Sequence, residues 1–125
     1  MNIAIYQVNM ERDMNRIAFM SFENLERFQH SPNVDCKIYD KVFEGDIDCN
    51  NLESIYRKFN LDHPADYVGR SLSVSDIVEI KDSDNIEPGF YFCDDFGFKE
   101  VAFDKTLCPE TERKPITDKI SVLLV

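Results

Sequence analysis

The sequence predicts an α+β domain: an antiparallel or mixed sheet of about five to six strands with two helices packed on one face. Short segments rich in β-branched and aromatic residues are joined by mostly short connections, which is typical of strands in such a sheet. Two other segments have the apolar spacing of helices, and they do not alternate regularly with the strands as in a doubly wound parallel sheet. With 125 residues and 43% apolar composition, the chain is long enough for one domain that folds without a metal or a disulfide.

The strand predictions rest on apolar runs and on alternation. Residues 2–8 are almost continuously apolar without Gly or Pro, which indicates a strand covered on both faces. An Asp/Gly loop at 94–97 between two aromatic runs predicts a hairpin, in which Gly97 is suited to positive φ. The further predicted strands are residues 17–22, 34–43, 73–80, 90–93 and 98–103.

The two helix predictions differ in how well the sequence specifies them. The first is short, has Leu25 and Phe28 on one face, and is expected to end before Ser31-Pro32. The second is better specified, because Asn50 is a suitable N-cap and Glu53 completes a capping box. Its apolar stripe consists of Leu52, Ile55, Tyr56 and Phe59.

The formal charge of −10 restricts the classes of partner. Binding to nucleic acid or to an anionic membrane surface depends on Lys and Arg, so neither is expected. Residues 76–100 hold eight acidic and two basic side chains, which indicates either a solvated face or a negative surface for a basic partner. The N-terminus has no secretory pattern and no apolar run is long enough to span a bilayer, so a cytoplasmic protein without a membrane span is expected.

Candidate catalytic and metal-binding patterns are weak. The cysteines at 36, 49, 93 and 108 lack zinc-site spacing, so free structural thiols and no metal are expected. The four glycines are scattered, so no nucleotide loop can be built and no cofactor is predicted. Cys93 with His63 could act as nucleophile and base, but a cysteine within an aromatic strand is usually a core residue. Asp94 and Asp95 are similarly expected to be turn residues, and no catalytic residue is predicted.

A binding surface is the alternative to a catalytic site. Three serines alternate along residues 71–75, so their hydroxyls would share one face of the predicted strand, either as an exposed edge or as a polar recognition strip. We predict that this strip and the hairpin tip form the binding surface. Its residues are Arg70, Ser71, Ser73, Ser75, Asp76, Asp94, Asp95 and Phe96.

Four short stretches of the chain have distinctive sequences. They are Ile-Tyr-Gln-Val at 5–8, Phe-Asn-Leu-Asp-His-Pro at 59–64, Gly-Arg-Ser-Leu-Ser-Val-Ser-Asp-Ile-Val at 69–78, and Gly-Phe-Tyr-Phe-Cys-Asp-Asp-Phe-Gly-Phe at 89–98. Through them, most of residues 1–104 resembles the YodL-like family. The resemblance implies a domain of Firmicutes that often occurs inside large multidomain proteins of conjugative and other mobile elements. It implies no established catalytic activity and supplies no active-site residues.

The domain organisation follows from this match and from composition. Residues 1–105 are expected to form the YodL-like domain, and residues 106–119, with two prolines and many charges, a linker. The apolar segment 120–125 is a predicted terminal strand, which either returns to the sheet or begins a following domain. Residues 119–125 resemble the opening strand of a different uncharacterised domain from the same kind of protein.

Three functions remain as hypotheses. The first is a non-enzymatic protein-interaction module of a mobile-element-associated protein, with a protein as its partner. The second is an acidic inhibitor that mimics DNA and blocks a basic host protein such as a restriction enzyme, which requires carboxylates along one elongated face. The third is an enzyme, which requires a concave pocket that gathers His63, Cys93 or the Asp94/Asp95 pair.

Overall fold

One antiparallel sheet of five strands organises residues 1–109, the part of the chain that the computed structural model describes. The strands are β1 (Asn2–Val8), β2 (Tyr39–Asp46), β3 (Ile77–Asp82), β4 (Gly89–Cys93) and β5 (Phe98–Val101). Their order in the sheet is β2-β1-β3-β4-β5, and every neighbouring pair is antiparallel. The α+β class is therefore confirmed. Most of the predicted linker, from residue 110 onward, and the predicted terminal strand lie outside the described residues.

Two α-helices cover opposite faces of this sheet, so the prediction that both pack on one face is wrong. They are α1 (Phe22–Gln29) and α2 (Leu52–Leu61). Successive side chains of a strand point to opposite faces, and β1 is buried on both. Its Ala4 and Tyr6 pack in the cluster that contains the buried residues of α1. Ile3 and Ile5 pack in the cluster that contains those of α2.

Aromatic rings fill both layers. In the layer with α2, the Phe59 ring lies 5.0 Å from the rings of Phe43 and Tyr67, and Phe59 has no exposed surface. In the layer with α1, the ring of Tyr6 lies 5.1 Å from that of Phe103. A buried side chain of this size contributes roughly 1.5–3 kcal/mol through removal of apolar surface from water. Packing on both faces therefore fixes the sheet between the helices.

Helix α2 begins one residue later than the sequence predicts. Its N-cap is Asn51, whose side chain accepts a hydrogen bond from the Ser54 backbone N–H at 2.7 Å. Ser54 Oγ in turn accepts from the Asn51 N–H, so the capping box uses Asn51 and Ser54, and the predicted pair of Asn50 and Glu53 is wrong. Tyr56 also departs from the predicted stripe, because 43% of its surface is exposed.

The predicted strand at 17–22 is absent, and the predicted strands at 34–43 and 73–80 start later than expected. Residues 17–22 form turns and the start of α1, because the Asp13 carboxylate accepts hydrogen bonds from the backbone N–H groups of Ile17 and Ala18. Residues 36–38 form a 3-10 turn before β2. Residues 73–76 form a turn, and β3 starts only at Ile77.

The predicted hairpin between β4 and β5 is confirmed. Cys93 pairs with Phe98 across it, and the Asp94 N–H donates to the Gly97 carbonyl at 2.9 Å. Gly97 adopts φ of 71°, a value that glycine accepts at little cost. The tip of the hairpin therefore consists of residues 94–97.

Candidate functional site

The predicted polar strip does not lie on a strand face, because residues 70–76 form an irregular segment that leads into β3. Ser71 is exposed and Ser73 is half-buried, whereas Ser75 and Asp76 expose 1% and 0% of their surface. Their hydroxyls therefore do not form a shared exposed row. The part of the prediction that places Ser75 and Asp76 on an exposed strip is wrong.

Asp76 is the centre of a buried network of polar groups. Its Oδ2 accepts hydrogen bonds from the Ser73 backbone N–H at 2.7 Å and from Gln7 Nε2 at 3.0 Å. The same Gln7 amide contacts the Tyr67 hydroxyl and both backbone groups of Arg70. The network therefore attaches the segment before β3 to strand β1.

The Arg70 side chain closes this network on the solvent side. Its Nη1 donates to the Val8 carbonyl at 3.2 Å, and its guanidinium lies over the Phe19 ring at 5.3 Å. Arg70 Nη2 is 3.7 Å from Asp76 Oδ1, too far for a hydrogen bond, and neither atom has another partner within residues 1–109. Burial raises the pKa of Asp76 to about 7, although the hydrogen bonds from Ser73 and Gln7 and the charge of Arg70 oppose this shift.

Ser75 connects three parts of the fold through a strained backbone. It has φ of 83°, which is rare for a residue with a side chain. Its Oγ accepts from the Phe19 N–H, its carbonyl accepts from the Tyr39 hydroxyl, and its N–H donates to the Cys93 carbonyl. These bonds hold the positive φ in place, so Ser75 has a clear structural role.

The hairpin tip is exposed, as the prediction requires of a binding surface. Asp94 is half-buried, and its Oδ1 accepts from the N–H groups of Phe22 and Asp95. Asp95 is exposed, and 92% of the Phe96 surface is accessible. Asp94 therefore anchors the tip to α1 and leaves Asp95 and Phe96 in solvent.

A groove of about 640 Å³ lies between this hairpin and α2. This volume is within the range of ligand pockets, and the groove is open to solvent. The groove brings together only two of the predicted site residues, Asp94 and Asp95. The residues that line it are Glu53, Tyr56, Arg57, Asn60, Leu61, Val74, Cys93, Asp94, Asp95, Gly97 and Phe98.

Sequence reasoning did not identify the α2 side of the groove. The apolar spacing places Tyr56 in the stripe and gives Leu61 no role, yet 80% of the Leu61 surface is exposed. The available signal in the sequence is a leucine in the last turn of the helix that falls outside the apolar stripe of Ile55 and Phe59. The residues of α2 and of the hairpin are more than 30 positions apart in the chain, so no local pattern links them.

The groove offers apolar contact and charge, with one thiol at its base. Burial raises the pKa of Cys93 to about 12, and the nearby carboxyl groups of Asp76 and Asp94 act in the same direction, so the thiol stays protonated at neutral pH. His63 is exposed, does not line the groove, and places Nδ1 3.1 Å from the Pro64 carbonyl. Within residues 1–109, no group of three or more His, Cys, Asp or Glu side chains is arranged to hold a metal ion.

A comparison with family models places the chain. The model described as YodL-like domain matches residues 2–103. The chain belongs to the YodL-like domain family. Searches of curated proteins and of solved structures give no match.

The most specific words of this YodL-like domain have distinct positions in the fold. Ser-Leu-Ser-Val-Ser-Asp at 71–76 builds the Asp76 network and the Ser75 junction, whereas Asp-Phe-Gly-Phe at 95–98 covers most of the hairpin tip and the first residue of β5. In the described part of the YodL-like domain, none of the helices has the length and apolar character needed to cross a bilayer.

Proposed function

We propose that this YodL-like domain is a protein-interaction module that binds its partner in the groove between α2 and the β4–β5 hairpin. The observation that carries the proposal is the apolar surface that lines the groove on both sides. Leu61 and Tyr56 are 80% and 43% exposed on the α2 side, and Phe98 is half-buried on the hairpin side. Exposed apolar side chains grouped around one concave surface are typical of interaction sites.

The chemistry of the groove supports binding better than catalysis. Among the described residues that line it, the one thiol is protonated at neutral pH and there is no histidine that would serve as a base. Its carboxylates and its apolar side chains instead supply the two components of an interface, which are a hydrophobic centre and a polar rim. We propose further that the domain is cytoplasmic and, as the family resemblance implies, that it acts within proteins of mobile elements.

Site-specific photocrosslinking tests the proposal directly. A photoreactive phenylalanine analogue is placed at Leu61 in the full chain, in cells that naturally express it, and the same analogue at Met14 is the matched control. Both side chains are exposed, by 80% and 85%, and Met14 does not line the groove. We expect a specific crosslinked protein from position 61 only. Equal products from both positions, or none from position 61, would refute the groove as the binding site.

The DNA-mimic alternative is favoured by a different surface. A recess at one end of the sheet collects four carboxylates, those of Asp46, Asp48, Asp82 and Asp84. An inhibitor of this kind binds a basic protein through carboxylates in place of phosphates, so duplex DNA competes with it and added salt weakens it. Replacement of Asp82 and Asp84 by Asn should then weaken binding, while Leu61→Ser should not. A partner that duplex DNA fails to displace would exclude this alternative.

A further inference from the structure

We infer that the partner segment in the groove is basic as well as apolar. This inference rests on the proposed function and specifies the chemistry of the partner. Among residues 1–109, three carboxylates line the groove, Glu53 on α2 and Asp94 and Asp95 on the hairpin, against one cation, Arg57. The carboxylates lie on both sides, so a bound segment would lie between them.

These carboxylates have free capacity to accept hydrogen bonds. Within residues 1–109, the Glu53 side chain forms no hydrogen bond or ion pair, and the Asp95 carboxylate accepts only from the neighbouring Phe96 N–H at 3.1 Å. Asp94 uses Oδ1 for two backbone N–H groups and has no described partner at Oδ2. An acidic segment, or an apolar segment without hydrogen-bond donors, would remove water from these groups without replacing its hydrogen bonds, which is costly. Lysine or arginine side chains would satisfy them.

The apolar part of the groove determines the remaining chemistry of the segment. Val74 and Phe98 are half-buried in the groove, and Tyr56 and Leu61 extend the same surface outward. Aliphatic or aromatic side chains of the partner gain affinity by covering this surface. The charges then favour the correct partner and accelerate its association, because opposite potentials meet across the interface.

A second copy of the chain is a poorer occupant on grounds of charge. Insertion of Phe96 from one copy into the groove of another would bring its neighbours Asp94 and Asp95 towards the carboxylates of that groove. Each copy also carries a formal charge of −10, so self-association would work against repulsion both locally and over the whole surface. A basic partner gains from the same charges.

Selection from a library of phage-displayed random peptides of about 12 residues tests the inference with a defined probe. The full chain is the immobilised target, and fluorescence anisotropy then measures the affinity of the selected peptides. We expect peptides that combine at least two Lys or Arg with aliphatic or aromatic residues. Raising the salt concentration from about 50 to about 300 mM should weaken their binding, because ions screen the exposed charge pairs.

Two matched pairs of variants locate the binding and separate its two components. Asp95→Lys should weaken binding at low salt by about tenfold, while Asp84→Lys, the same change outside the groove, should weaken it by less than about twofold. Leu61→Ser should likewise weaken binding by about tenfold, and Met14→Ser should leave it unchanged. All four side chains are exposed, so circular dichroism should show that the fold is retained.

The outcomes distinguish the two proposals. Peptides that depend on Leu61 but lack basic residues would overturn this inference and leave the proposed function standing. Binding to which Leu61 and Met14 contribute equally, or failure to select any peptide, would overturn both. Dimers of the free chain that Leu61→Ser dissociates would identify a second copy as the occupant and would also overturn the inference.

Discussion

Replacement of Asp76 by two neutral residues should separate its hydrogen bonds from its charge. Asp76 Oδ2 accepts from the Ser73 N–H at 2.7 Å and from Gln7 Nε2 at 3.0 Å, with no exposure to solvent. Asparagine offers an amide oxygen at the same place and keeps both bonds, whereas alanine removes them. Neither variant ionises at this position, so the difference between their stabilities reports the hydrogen bonds alone.

The expected difference follows from the partners that each donor retains. Gln7 Nε2 still has the Tyr67 hydroxyl at 3.0 Å and the Arg70 carbonyl at 2.9 Å, so its loss is small. The Ser73 N–H loses its only acceptor within residues 1–109, and an unsatisfied half-buried donor costs about 1–3 kcal/mol. With the second lost bond, Asp76→Ala should be less stable than Asp76→Asn by about 2–4 kcal/mol, a large part of the roughly 5–15 kcal/mol of a domain.

Urea unfolding followed by circular dichroism provides the assay. Both variants should unfold with the same dependence on denaturant, and Asp76→Ala should have the lower midpoint. Asp84→Ala, at an exposed position, controls for the loss of a carboxylate and should change stability by less than about 0.5 kcal/mol. Equal stability of the two Asp76 variants would refute the idea that the Asp76 network holds the segment before β3.

Three further predictions concern charge, packing and capping. Because burial raises the pKa of Asp76 from 3.8 to about 7, folding retains a proton that the unfolded chain releases between these pH values. As the pH rises through this range, the wild type should lose stability relative to Asp76→Asn by up to about 1.4 kcal/mol per pH unit, with no further loss above it. A difference that stays constant in urea titrations at several pH values would contradict this. Phe59→Ala should cost about 3–5 kcal/mol in urea unfolding, against less than about 0.5 kcal/mol for Phe96→Ala; similar losses would refute the assigned core. Asn51→Ala should lower the thermal midpoint by an amount equivalent to about 1 kcal/mol, and Asn50→Ala should lower it less; the reverse order would restore Asn50 as the cap.

The parts of the fold that were predicted correctly depend on local patterns. The apolar run at 2–8 indicates a strand covered on both faces, and β1 is buried on both. The Asp/Gly loop at 94–97 identifies the hairpin, because positive φ at Gly97 and the turn bond are properties of neighbouring residues. The sequence predicts the start of helix α2 to within one residue, because apolar spacing indicates which face is buried but not which of two asparagines forms the cap.

The errors arise where distant contacts override local patterns. The serines at 71–75 alternate as in a strand, yet the segment bends because Asp76 binds Gln7, which is 69 positions away. Residues 17–22 have strand-like composition, but the Asp13 carboxylate and the Ser75 hydroxyl take their backbone N–H groups. The face of the sheet that each helix covers also depends on distant contacts. The apolar stripes of α1 and α2 are similar, and the two helices differ only in which set of alternating β1 side chains they contact.

The segment at 71–76 and the groove are connected through β4, although the segment has a structural role and the groove is the proposed binding site. The Ser75 N–H donates to the Cys93 carbonyl, and the Cys93 N–H donates to the Asp76 carbonyl at 2.8 Å, so backbone bonds hold the base of the groove. These bonds do not involve the Asp76 side chain, so Asp76→Asn should retain the wild-type affinity for a groove-binding peptide. Leu61→Ser should show the opposite behaviour, with lost affinity and unchanged unfolding midpoint. Parallel loss of stability and affinity in either variant would mean that the groove and the Asp76 network are a single functional unit.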